Sequence, residues 1–311
     1  MDDRTPVSVM RAADTGHGTL MRRAALASLT VTVFLIVLKF AAYIMTDSVS
    51  MLASLADSGL DFFASMINLV AVRSSLTPPD REHRFGHGKA EALAGLAQGA
   101  FIAGSATFLI IEAVSRLTAP HIIGREVLGL AVMAVSIAAT IGLVAYQRMV
   151  VARTDSLAIS SDKSHYTSDL VTNIGVVASL VLSTQFGWIH ADPIIAIAIA
   201  LFLAWTSWTV FRASSDQLMD RELPDEDRAK IKTLVMRHPD VRNLHDLRTR
   251  TSGLNTFIQF HIELDADISL TRAHEISDAV EADVMAAYPK AEILIHQDPA
   301  GVEMPAPLAK V

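Results

Sequence analysis

Six long apolar stretches fill the first two thirds of the chain, at roughly 24–46, 52–73, 90–117, 124–149, 157–184 and 191–212. A helix that crosses a bilayer needs about 20 such residues, so the pattern predicts an all-α bundle of six spanning helices. The second and fifth stretches are the most interrupted. One carries Asp57, Asp61 and Asn68, the other Asp162, His165, Asp169 and Asn173. Past residue 212 the period changes. PDEDRAKIKTLVMRH has an acidic start and a basic end, which reads as a helix. NLHDLRTRTSG and LNTFIQFHIEL alternate like strands around a Ser-Gly turn, SLTRAHEISDAVEADVMAAY returns to helical spacing, and AEILIHQDP is a last strand. The order α-β-β-α-β predicts a small two-layer α+β domain of ferredoxin-like type. The expected division is a membrane domain over 1–212, a soluble domain over 213–300 and a disordered tail over 301–311.

Composition agrees with a membrane chain, since 51% of the 311 residues are hydrophobic and the mean hydropathy is +0.37. Cysteine is absent. That excludes disulfides and thiolate metal sites, leaving imidazole and carboxylate as the metal ligands. From residue 213 onwards there are 18 acidic and 11 basic residues, whereas the preceding part holds 15 of each. An acidic soluble module on a neutral membrane part gives no basic surface for nucleic acid. Arg4, Arg11, Arg22 and Arg23 precede the first span, Arg73, Arg81, Arg84 and Lys89 surround the second loop, and Arg148 and Arg153 the fourth. The first and fifth loops, TDSVS and QFGWIHAD, carry no Lys or Arg, and the third has only Arg116 and Arg125. By the positive-inside rule both termini are cytoplasmic. The first span is too long, and preceded by too many mixed residues, for a cleaved signal peptide.

Asp57 and Asp61 stand four residues apart, as do His165 and Asp169 in SHYTSDL. On a helix each pair shares a face. Together they offer three carboxylates and one imidazole, a donor set suited to a tetrahedral divalent cation such as zinc. An aspartate at the bilayer centre costs about 2.5–3.5 kcal/mol on insertion scales, so such groups are kept for a function. Metal transport, proton relay and intramembrane aspartyl proteolysis are all open to this pattern. Proteolysis fits worst, because its two aspartates face each other from different helices.

The loop after the second span reads PPDREHRFGHGKAE. With the two i,i+4 pairs, the six spans, and HDLRTR and IHQDP near the end, it resembles the cation diffusion facilitator family. The likeness is to bacterial zinc and ferrous-iron efflux members. The resemblance implies a homodimeric transporter of the bacterial inner membrane, not an enzyme, which exchanges a cytoplasmic divalent cation for protons. It implies Asp57, Asp61, His165 and Asp169 as the transport site. Histidine at the third position is similar to zinc- and cadmium-handling members, with iron, cobalt and manganese as further cargoes. Asp80, His83 and His87 match a second metal site in the loop. Lys89 resembles a lysine that pairs with an aspartate after the sixth span, here Asp220, and so interlocks the protomers.

In LNTFIQFHIEL, alternation puts Phe257, Gln259, His261 and Glu263 on one face and Ile258, Phe260, Ile262 and Leu264 on the other. His296 and Asp298 share a face too. With His245, His261 and His274, they match the family's binuclear cytoplasmic site, whose role would be structural or regulatory. His238 matches no motif. His165 is the expected proton carrier, since an unperturbed imidazole titrates near pH 6.5, about the working range. A membrane-anchored metal sensor without transport is the other reading and a proton channel a third; metal flux, and proton flux that requires metal, separate them. Glu112 and Arg116 read as a local i,i+4 pair. Lys39 either snorkels or faces the interior.

Overall fold

The computed structural model describes residues 16–46, 49–118, 127–186, 188 and 190–301. Apart from residue 301 the expected tail lies outside them, as do Arg4, Arg11 and Arg125. The chain divides into two compact units. One comprises residues 16–77 and 89–215, and the other gathers residues 78–88 with 216–301.

Six helices build the first unit: α1 (Gly16–Thr46), α2 (Val49–Ser75), α3 (Ala90–Thr118), α4 (Val127–Thr154), α5 (Leu157–Phe186) and α6 (Ala191–Leu218). The first starts well before the expected boundary, because the turn containing Arg22 and Arg23 is helical although polar. Five of the six are long and apolar enough to cross a membrane. The exception is α5, which is 30 residues long but carries Asp162, Lys163, His165 and Asp169 in its first half. The bundle leaves large apolar side chains such as Val37, Ile44, Leu201 and Trp205 facing outwards, as a lipid-facing surface requires. Its interior is polar in places: Ser28, Ser58, Ser65, Asn68, Gln98, Gln147 and Asp162 are buried.

Small residues allow α3 and α6 to meet. A Cβ added to Gly95 would lie 2.1 Å from Ser214 Oγ, and one added to Gly99 would lie 2.8 Å from the Phe211 ring. The Gly95-x-x-x-Gly99 spacing is the small-residue pattern by which membrane helices approach closely. Ser207 uses the approach to donate to the Gly99 carbonyl at 2.8 Å.

The second unit has the expected element order: α7 (Asp225–Val235), β1 (Asn243–Ser252), β2 (Asn255–Leu264), α8 (Leu270–Ala287) and β3 (Ala291–Pro299). The sheet order is β1-β2-β3, with β1 and β2 antiparallel and β2 and β3 parallel. Gly253, at φ 59°, opens the two-residue turn between β1 and β2. Ser269 caps α8 by accepting the Arg272 amide. One face of β2 supplies Ile258, Phe260, Ile262 and Leu264 to a core closed by Ile231 and Val235 of α7 and Ile276, Val280 and Val284 of α8. Both helices lie on that side. The other face of the sheet keeps its polar side chains.

Candidate metal centres

The membrane cluster grows from helix geometry. His165 and Asp169 lie one turn apart on α5, and the Asp61 carboxylate of α2 reaches the same place. His165 Nε2 is 3.1 Å from Asp61 Oδ1 and 3.7 Å from Asp169 Oδ2. Donor atoms of the three residues lie within 4.8 Å of one another. The His165 side chain is only 5% exposed, and Asp169 Oδ2 is buried with no hydrogen-bond partner. An orphaned carboxylate oxygen beside an imidazole nitrogen fits a cation as the missing partner. Asp57, one turn before Asp61, is exposed and stands outside this cluster. It feels the charge of both Asp61 and His165. Lys39 faces the interior and donates to Ser58 Oγ at 2.6 Å and the Ser54 carbonyl at 3.2 Å. Its charge also acts on Asp57 and Asp169.

The loop cluster is an Asx turn. Asp80 Oδ1 accepts the amides of Glu82 (2.9 Å) and His83 (2.6 Å). The His83 amide, more than any other group, holds its carboxyl below the usual carboxylate range. Asp80 Oδ1 is 3.4 Å from His83 Nδ1, and its Oδ2 is 3.4 Å from His87 Nε2. This loop lies on the three-stranded sheet. Phe85 meets the Phe257 ring edge-on at 5.8 Å, and the Arg250 guanidinium lies over both rings, 4.9 and 4.5 Å from their centroids. Phe257, expected on the polar face, is therefore buried.

The third cluster is set by strand register. His245 pairs with His261 across β1 and β2, and His261 with His296 across β2 and β3. Three imidazoles thus form one row across the sheet, with ring centroids 5.0 and 4.5 Å apart. Asp298, two residues after His296, turns its carboxylate along the row. Its Oδ2 is 2.8 Å from His261 Nδ1 and 3.4 Å from His245 Nε2, and its Oδ1 is 3.2 Å from His296 Nε2. His245 Nε2 is buried without a hydrogen-bond partner, again a donor atom that suits a cation. Asp246, at φ 47° where the β1 register shifts, joins His245 and His261 in a second overlapping group. Nothing in its spacing marks it as a candidate, because a bulge is needed to bring it round. His274 is 72% exposed beside Asp278 and joins none of these groups among the described residues.

Of the Lys89 and Asp220 pair, Lys89 belongs to the membrane unit and Asp220 to the other. Within its own unit Asp220 lies 3.5 Å from Arg250.

The cation efflux transmembrane domain matches residues 25–219, and the cation efflux protein cytoplasmic domain matches residues 223–300. The chain belongs to the cation efflux family. A cation-efflux pump FieF of Klebsiella pneumoniae is 42% identical over 286 residues, covering 92% of this chain and 95% of the relative. The FieF of Shewanella oneidensis is 44% identical over 283 residues, covering 91% and 95%. A metal-bound C-terminal domain of the CzcD transporter from Thermotoga maritima is 27% identical over 26% of this chain and all of that one, with a TM-score of 0.25. As a cation efflux family member the protein is a multi-pass membrane transporter rather than an enzyme, and its cargo is a divalent cation.

Proposed function

We propose that the protein is a divalent cation/proton antiporter that exports zinc from the cytoplasm of a bacterial cell by alternating access, with iron, cadmium, cobalt and manganese as further cargoes. The observation that carries this reading is the meeting of Asp61, His165 and Asp169 inside the helix bundle, with one carboxylate oxygen left without a hydrogen-bond partner. Imidazole with carboxylates is a zinc-type donor set. In the cytoplasm-facing state Asp57 completes the set, and its place one turn from Asp61 allows it to join. Exposure to the other side lets protons compete for the same donors, with His165 as the proton carrier. Both termini face the cytoplasm.

The loop site (Asp80, His83, His87) and the sheet site (His245, His261, His296, Asp298) hold metal without moving it, because neither lies in a spanning helix. His274 reaches a metal only from a second copy, which fits a homodimer. Lys89 and Asp220 are the residues proposed to interlock the two protomers as a charge pair. Reconstituted vesicles test the reading: zinc uptake and proton release are measured together across a panel of divalent cations, for the natural protein, Asp61→Ala and His165→Asp. Asp61→Ala is expected to abolish both fluxes, and His165→Asp to shift the cation preference away from zinc. Undiminished flux in Asp61→Ala sinks the assignment. A chain that binds zinc yet carries none is the anchored sensor instead.

A further inference from the structure

Asp162, like Glu91, is a fully enclosed carboxylate of the membrane unit, and the transport site does not use it. It is 0% exposed and sits on α5 one turn before His165. Its Oδ2 accepts from Ser28 Oγ of α1 at 2.6 Å and from Gln147 Nε2 of α4 at 2.7 Å. Its Oδ1 accepts from Gln98 Nε2 of α3 at 3.2 Å. The buried Asn68 amide of α2 adds a further favourable dipole. Four other helices therefore turn uncharged polar groups towards one acid, and none of these groups is a countercharge. The titratable groups that act with it are its helix neighbours His165 and Tyr166. A buried carboxylate that stays ionised is ordinarily paired with a cation.

The surroundings can serve the acid in either protonation state. When it is ionised, the Ser28 hydroxyl and the two glutamine amides all donate to it. When it is protonated, its O–H donates to Ser28 Oγ, and the Ser28 hydrogen swings to the Ala24 carbonyl 3.2 Å away. Gln147 Nε2 still donates to Ser28 Oγ at 2.9 Å. Gln147 Oε1, buried and without a hydrogen-bond partner, is a second acceptor if the amide turns over. Rotating one hydroxyl is enough to move between the states with every partner kept.

We propose that Asp162 is a proton-binding site of the transport cycle, filled when the metal site is empty and discharged when a divalent cation reaches Asp61, His165 and Asp169. The inference rests on the antiport reading above and adds a site to it. Asp162 lies three positions before His165, an axial rise of about 4.5 Å, across which a dication disfavours a nearby proton. Cation and proton then compete through charge rather than for one atom, so the metal ligands need not carry every exchanged proton.

Zinc titration calorimetry on the full-length protein, in buffers of different ionisation heat, counts the protons released per zinc. In Asp162→Asn that count is expected to fall by about one while zinc still binds. A natural count retained in Asp162→Asn overturns the proposal. A natural protein that carries zinc and releases no protons overturns the antiport reading and this proposal together. Ser28→Ala provides a second arm if the asparagine chain does not fold. The ionised acid loses a donor while the protonated acid still has Gln147 Oε1 as an acceptor, so the proton is favoured and zinc affinity should drop by about tenfold at acidic pH and less at alkaline pH. An equal loss at every pH, or none, overturns the proposal.

Discussion

In the membrane unit a single histidine, His165, gathers two carboxylates from two helices. In the cytoplasmic unit a single carboxylate, Asp298, gathers three histidines from three strands. The ingredients are the same, and what differs is how each set is held. In the sheet the three histidines are fixed by backbone pairing, so their spacing cannot change without breaking the ladder. Between α2 and α5 only side-chain packing fixes the distance, and a small slide or tilt of one helix separates the ligands. A site that must release its cargo belongs in the second setting, and a site that must hold a domain belongs in the first.

The comparison breaks most sharply on transport. Replacing His165 with alanine should bring zinc flux in vesicles to background, while Asp298→Ala leaves flux in place. Equal loss in both variants would mean the two clusters are not separate in function. Next comes stability. Zinc at about 100 times its dissociation constant stabilises a binding-competent fold by about 2.7 kcal/mol. In Asp298→Ala the cytoplasmic part of that stabilisation should vanish in thermal unfolding with and without zinc, whereas in His165→Ala it should persist. A smaller effect is expected at the loop. Phe85→Ala removes one ring from under Arg250, worth about 1 kcal/mol in such stacked cations, and should speed amide exchange across residues 78–88 without changing the sheet. The smallest effect is on pH. Asp80 is held below the usual carboxylate range by the His83 amide, so its turn is intact above that range. Its contribution is lost only as the pH falls below about 4. The His83 and Glu82 amide resonances should stay fixed down to that point, and movement at higher pH would show that the turn depends on another group.

The parts of these sites that local periodicity determines were legible in the sequence. Pairs four apart on α2 and α5 share a face in any helix, so Asp61, His165 and Asp169 could be named without a fold. Asp57 shows the limit of that rule. Sharing a face with Asp61 does not bring it to the same level of the crossing helix, which depends on packing. Alternation likewise assigned His261 to the polar face of β2, but the row with His245 and His296 depends on register across three strands. Asp246 enters only through the irregularity in β1, and Phe257 is buried only because a distant loop covers it. Lys39 had two readings that sequence leaves equal, until Ser58 on the neighbouring helix decides between them. Gly95 and Gly99 carry no chemistry, yet their spacing makes room for Phe211 and Ser214 on α6.

The knot around Asp162 also bears on how the chain is made. Ser28, Asn68, Gln98 and Gln147 all precede Asp162 in the sequence, as do Asp61, the partner of His165, and Thr32 and Ser65, which bond the Tyr166 hydroxyl at 2.6 Å each. A ribosome therefore delivers every one of these partners before α5 emerges. The helix least able to enter lipid alone is thus the last of the five to be synthesised, and the polar partners that would offset its cost in lipid are already made when it emerges.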